Sequence, residues 1–250
     1  MCELLGFSAA KPTDISELVR EFFSHSEKNP HGWGMMYDDI TLVRGCEKAS
    51  DSPKLAEIMK GIAPQKDLLA HIRFATVGKI KQENCHPFTG CDITGRRWTF
   101  AHNGTIYSGS SLIPYLRTQA GDTDSERVFM YLMDSVNKAQ ENGELSSEER
   151  CLLIDDLVRD LAPRNKLNLM IFDGEQLYVH KNMHDTMKYR REGSGYIIST
   201  TALDGGEWLD VPMVQLLVFK NGEQIYSGKP HDGIFIPNLQ YIKAMDAMHI

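Results

Sequence analysis

The chain is 250 residues long with 42% apolar and 24% charged side chains, the make-up of an ordinary water-soluble globule with ample material for a core. Its 27 basic side chains against 34 acidic ones leave a net charge of −7, which offers no general attraction to nucleic acid or to an anionic membrane. Five cysteines, an odd number, and Glu3 interrupting any apolar start speak against a secretory leader and predict a cytoplasmic protein with reduced thiols.

The chain opens Met1-Cys2-Glu3-Leu4-Leu5-Gly6. Initiator methionine is normally trimmed before a small residue, which would leave Cys2 carrying a thiol and a free α-amine. Their reference pKa values, about 8.5 and roughly 7.7–8.0, let the amine take the thiol's proton near neutral pH. An N-terminal nucleophile of this kind carries its own general base. A cysteine early in a strand is equally an ordinary small buried hydrophobe.

Glu3 to Ser8 reads as a strand. Asp14 with Glu17 resembles a capping box for a helix burying Ile15, Leu18, Val19, Phe22 and Phe23. A strand follows His31-Gly32-Trp33-Gly34 and pairs with Ile40 to Val43. Ser52-Pro53 opens a second helix. Leu68 to Phe74 is a strand ending in Arg73-Phe74-Ala75-Thr76. Asn84-Cys85-His86-Pro87-Phe88 reads as a loop, and Arg97 to Ala101 is a strand that runs into His102-Asn103-Gly104. An arginine leaving a buried strand needs an anion, either a structural acid or a substrate carboxylate. Asn103-Gly104 offers an amide and an unhindered N–H suited to an oxyanion hole, although Asn-Gly is also the commonest hairpin turn.

A short helix is predicted over Ser110 to Arg117. Gly121 to Glu126 caps a longer one with Val128, Phe129, Leu132, Met133 and Val136 inward; acids there, Asp124 included, are ordinary caps. Another helix starts at Ser147. From Leu167 the period turns to strands, with Asp173-Gly174 and Asn221-Gly222 as tight turns. Val211 to Phe219, the most apolar stretch, is broken by Pro212 and Gln215 and is too short to span a bilayer. Cys46, Cys85, His86 and Cys91 lack C-x-x-C spacing, so no metal is expected. Residues 237–250 read as one closing helix, and no linker divides residues 1–250 into separate domains.

Five segments, Met1 to Gly6, His71-Ile72-Arg73, Asn84 to Phe88, Ala101 to Gly104 and Thr123-Asp124-Ser125-Glu126, together resemble a class II glutamine amidotransferase domain in order and spacing. The similarity extends to the stand-alone bacterial branch typified by the YafJ proteins. It implies an α+β, N-terminal nucleophile hydrolase fold: a four-layer αββα sandwich of two antiparallel sheets, working without a cofactor. It also implies roles. Cys2 would attack the γ-amide of glutamine, or of another γ-glutamyl small molecule, and form a γ-glutamyl thioester. Asn103 and the Gly104 N–H would hold the oxyanion. Arg73, helped by Thr76, would grip the α-carboxylate, Asp124 would bind the α-ammonium, and His86 would support the loop beside them.

Three features depart from the family pattern: His31 stands where relatives carry an acid before Gly-Trp-Gly, Val77 replaces a polar residue, and no acceptor domain follows. The resemblance therefore leaves three expectations: a glutaminase half serving a separate ammonia-accepting enzyme, a free-standing γ-glutamyl peptide or amide hydrolase, or a non-catalytic glutamine-binding regulatory module.

Overall fold

The computed structural model describes residues 1–38 and 40–237. The helix expected over 237–250 therefore lies almost wholly outside the described residues. In chain order the elements are β1 (Glu3–Thr13), α1 (Ser16–Ser24), β2 (Trp33–Tyr37), β3 (Thr41–Gly45), α2 (Pro53–Lys60), β4 (Gln65–Ile72), β5 (Phe88–Cys91), β6 (Arg97–Thr105), α3 (Asp124–Ala139), α4 (Ser147–Leu161), β7 (Lys166–Phe172), β8 (Leu177–His180), β9 (Lys188–Glu192), β10 (Gly195–Ser199), β11 (Leu209–Asp210), β12 (Leu217–Lys220) and β13 (Glu223–Ser227).

The strands form two antiparallel sheets, ordered β11-β9-β10-β1-β4-β2-β3 and β13-β12-β8-β7-β6-β5. The N-terminal strand is thus interior to its sheet: Leu4 pairs with His71 of β4, and Leu5 with Ser199 of β10 on the other side.

Alternation along the strands sorts the core into three apolar layers. Leu5, Phe7, Ala70 and Ile197 face outward and meet Val19 and Phe22 of α1 and Leu55 of α2. Phe100, Leu169 and Ile171 face the other exterior and meet Val128, Leu132, Ile154 and Val158 of α3 and α4. Leu4, Leu69, Ala101, Met170 and Phe219 fill the space between the sheets. The arrangement is α+β, two antiparallel sheets flanked by helices. Each fully buried Leu or Phe contributes about 1.5–3 kcal/mol, so three such layers hold the sheets firmly face to face.

Several local expectations shift. β1 runs on to Thr13, and α1 lacks a capping box; Asp14 instead accepts the Ser16 N–H at 3.0 Å. Phe88 to Cys91 forms a strand paired with β6, although its start reads as the end of a loop. Asn103-Gly104 lies inside β6, opposite Asn168 and Leu167, and is not a turn. Residues 110–117 coil as a 3₁₀ helix. Ser52 caps α2, and Ser146 with Glu149 forms a full capping box on α4.

Candidate active site

The alternation that sorts the core also assembles the polar cluster. Cys2 shares the inward face of β1 with Leu4. Arg73 continues the face of Leu69 and His71, Asn103 that of Ala101, and Lys166 that of Met170. All four side chains therefore project into the inter-sheet layer where it reaches the start of β1.

Cys2 is half-buried, and its Sγ lies 3.2 Å from both the N–H and the carbonyl oxygen of Phe74, accepting from one and donating to the other. Burial pushes the thiol's pKa up. The bond to the Phe74 backbone and the positive charges of the N-terminus, Lys166 and Arg73 pull it back down. Burial also lowers the pKa of the Met1 amine, and Lys166 lowers it further.

Arg73 is buried and has no ion-pair partner among the described residues. Its guanidinium donates to backbone carbonyls of the loop it enters, Lys79 O at 3.1 Å, Val77 O at 2.9 Å and Gly78 O at 3.4 Å. The same loop is tied by the Lys79 N–H to Asp122 at 3.1 Å, and by Asn84 to the Lys79 carbonyl at 2.7 Å. Thr76 stands exposed within it. His31, which departs from the family pattern, accepts the Ala75 N–H on Nδ1 at 3.0 Å and packs its ring 5.0 Å from that of Phe74. It thus anchors the strand exit beside Cys2.

His86 is buried between rings, 4.3 Å from His71 and 4.6 Å from Phe88 by centroids. Burial holds its imidazole neutral, well below the usual histidine range. Its loop comes so close to β2 that a Cβ on Gly34 would lie 2.1 Å from the His86 carbonyl oxygen, and Arg44 fastens it by donating to Cys85 O at 3.0 Å. The His86 ring is thus held by packing, and neither of its nitrogens has a hydrogen-bond partner among the described residues.

Asn103 is buried on β6, and its Oδ1 accepts from Lys166 Nζ at 3.2 Å. Its Nδ2 has no hydrogen-bond partner among the described residues. Gly104 is required by crowding: a Cβ there would lie 1.9 Å from Lys166 O and 2.1 Å from His102 Nε2. Asp124 is the first residue of α3. One of its oxygens accepts the Ile106 N–H at 2.7 Å and the other the Ser125 N–H at 3.0 Å, which ties the helix start to the end of β6. His102 completes the tie, with Nε2 3.1 Å from Lys166 O and Nδ1 2.9 Å from Ser125 Oγ. A carbonyl only accepts, so Nε2 carries the proton and Nδ1 accepts from the serine.

Sequence reasoning missed Lys166. It is 2% exposed, its Nζ lies 3.1 Å from Met1 Sδ, and burial pulls its pKa down to about 8.

A cysteine heading an interior strand of two stacked antiparallel sheets is the arrangement of the N-terminal nucleophile hydrolase type of fold. The class-II glutamine amidotransferase family model matches residues 1–193, and the chain belongs to that family. It is 30% identical over 195 residues to an Escherichia coli K12 protein carrying the provisional name glutamine amidotransferase YafJ, covering 74% of this chain and 75% of that one. It is 30% identical over 263 residues to an uncharacterised protein of Methanocaldococcus jannaschii, covering 92% and 72%. Solved structures agree in fold. A Pseudomonas aeruginosa PA01 protein described as a predicted glutamine amidotransferase superposes with a TM-score of 0.65 at 20% identity, over 90% of this chain and all of that one. The Bacillus subtilis glutamine phosphoribosylpyrophosphate amidotransferase gives 0.66 at 16% identity, over 91% of this chain and 49% of its own. Among the described residues no helix is long and apolar enough to cross a membrane.

Proposed function

We propose that the protein hydrolyses the γ-amide of glutamine or of a related γ-glutamyl small molecule, through a thioester on Cys2. One observation carries this reading: a cysteine at position 2 shares a face with a buried arginine that has no acidic partner among the described residues, and with an asparagine whose amide nitrogen is unpaired.

Removal of Met1 turns the Cys2 nitrogen into a free amine. That amine takes the thiol proton, directly or through a water, and sulfur attacks the amide carbon. The carbonyl oxygen gains negative charge, which Asn103 Nδ2 and the Gly104 N–H stabilise. The tetrahedral adduct collapses, the C–N bond breaks, and the protonated amine returns its proton to the departing ammonia. Water then cleaves the thioester, giving the glutamate portion and regenerating the thiol. Arg73 grips the substrate α-carboxylate, with Thr76 at the loop surface assisting, and Asp124 binds the α-ammonium. The chemistry needs no metal or organic cofactor. Arg73 already holds its loop by carbonyls, so a bound carboxylate would order that loop further over the sulfur.

Purified protein tested alone on glutamine and on γ-glutamyl dipeptides, with intact mass spectrometry before and after a diazo-ketone glutamine analogue, checks the proposal. Expected are a mass lacking methionine, a single adduct on Cys2, and release of ammonia or an amine from at least one substrate. A methionine-free chain that neither turns over nor takes the label overturns it. Fast turnover without a partner identifies a free-standing hydrolase, whereas turnover that rises on adding a synthase identifies an ammonia donor.

A further inference from the structure

Resting on the amide-hydrolase reading, we infer that Lys166 is a positioning residue that orients the Asn103 carboxamide as an oxyanion donor. An asparagine amide can point either end into a site, and only its NH₂ end stabilises an oxyanion. An ammonium has three donors and no acceptor, so whatever it touches on Asn103 must be the oxygen. Lys166 Nζ lies 3.2 Å from Asn103 Oδ1, and this pins the oxygen toward β7. The opposite end, Nδ2, is then the free one, buried and unpaired among the described residues.

Register makes the contact possible. Thr105 pairs with Lys166 and Asn103 with Asn168, so the lysine and the asparagine lie diagonally on adjacent strands and on one face. The Lys166 backbone is held in turn by His102 and, through it, by Ser125 beside Asp124. Asparagine, lysine and the start of α3 thus form one fixed unit. Among the described residues the ammonium's other hydrogen-bond partner is Met1 Sδ at 3.1 Å, and trimming removes it. In the mature chain the Lys166 charge therefore faces Asn103 and the new N-terminus.

A double-mutant cycle on the trimmed protein tests the assignment. Lys166→Met is expected to lower kcat about 10- to 100-fold with little change in KM, the scale of a lost charge-assisted hydrogen bond. Lys166→Gln, which keeps an N–H donor for Oδ1, should recover part of that loss. Asn103→Ala should cost about 10²–10³. The combination of Asn103→Ala with Lys166→Met should be no slower than Asn103→Ala alone, because the lysine acts through the asparagine. Multiplying losses in the double variant, or a raised KM with kcat intact, overturns the assignment while leaving the function proposed above in place. A wild-type protein that neither turns over nor labels takes down both. Circular dichroism of each variant separates misfolding from lost positioning, and the glutamine variant keeps the test valid if methionine proves disruptive.

Discussion

Replacing Lys166 with methionine should change the pH dependence of stability by an amount the structure defines. Burial lowers the lysine's pKa from 10.5 to about 8. At 1.36 kcal/mol per pKa unit, holding the charged form in the folded state costs about 3 kcal/mol. Below pH 8 both folded and unfolded chains are protonated, and the whole cost is present. Between about 8 and 10.5 the folded chain gives up the proton while the unfolded chain keeps it, so stability rises with pH. Above that range both are neutral and the cost is gone. The methionine variant lacks this term. Its stability relative to wild type should therefore be greatest at pH 7 and shrink by about 3 kcal/mol by pH 10.5. Loss of the hydrogen bond to Asn103 shifts the whole curve by a constant and leaves the slope untouched. Urea titrations of both proteins at pH 7, 8, 9 and 10 measure the difference; groups that Lys166 does not influence cancel, and repeating the pair in a Cys2→Ala background removes the thiol whose titration the lysine alters. A difference that stays flat across that range would show that Lys166 keeps an ordinary pKa, and the reasoning from its burial would fail.

Other consequences can be checked alongside. An uncleavable residue placed ahead of Cys2 should abolish turnover and analogue labelling while leaving the urea midpoint within experimental scatter of wild type. Gly104→Ala places a methyl against the Lys166 carbonyl of the neighbouring strand, so a loss above about 3 kcal/mol is expected by urea unfolding; normal stability would mean that β6 and β7 can separate there. Arg150, 2% exposed and 2.7 Å from buried Asp173, should cost about 3–5 kcal/mol when replaced by alanine, since the aspartate is left without its charge partner. Arg73→Lys should raise KM far more than it lowers kcat, because a point charge cannot replace the two-pronged grip proposed for the substrate carboxylate; equal falls in kcat and kcat/KM would place the arginine's effect in the transition state alone.

Much of this was legible in the residues because chemistry and periodicity agreed. The inward faces of α1 and α3 follow from their 3.6-residue spacing, and the hairpin at Asp173-Gly174 from its turn type. That Cys2, Arg73 and Asn103 belong together is legible only through the family resemblance, since each has an ordinary reading alone; the two-sheet stacking is what brings them to one face. Asn103-Gly104 was ambiguous for a physical reason. The same dipeptide serves a hairpin or a crowded ladder position, and only the approach of Lys166 O and His102 distinguishes them. Lys166 was invisible. In Lys166-Leu167-Asn168-Leu169-Met170 the polar residues alternate as they would on a solvated face. Here that face looks across to the opposing sheet, and no local pattern reveals what lies opposite. Phe88 to Cys91 escaped notice because its pairing is supplied by β6 rather than by its own composition.

The interior place of β1 bears on how the protein matures. β1 precedes both of its neighbours in the chain, and one of them, Gly195–Ser199, follows only after the intervening strands and helices have been made, from α1 through to β9. Until that strand is made, this flank of β1 lacks the partner it has in the folded protein. In the folded protein Met1 Sδ lies 3.1 Å from Lys166 Nζ, and burial lowers the pKa of the Met1 amine. If Met1 is removed as proposed, removal before β10 closes that flank meets the smaller obstacle, and overproduction that outruns the processing peptidase should leave a folded but uncut population.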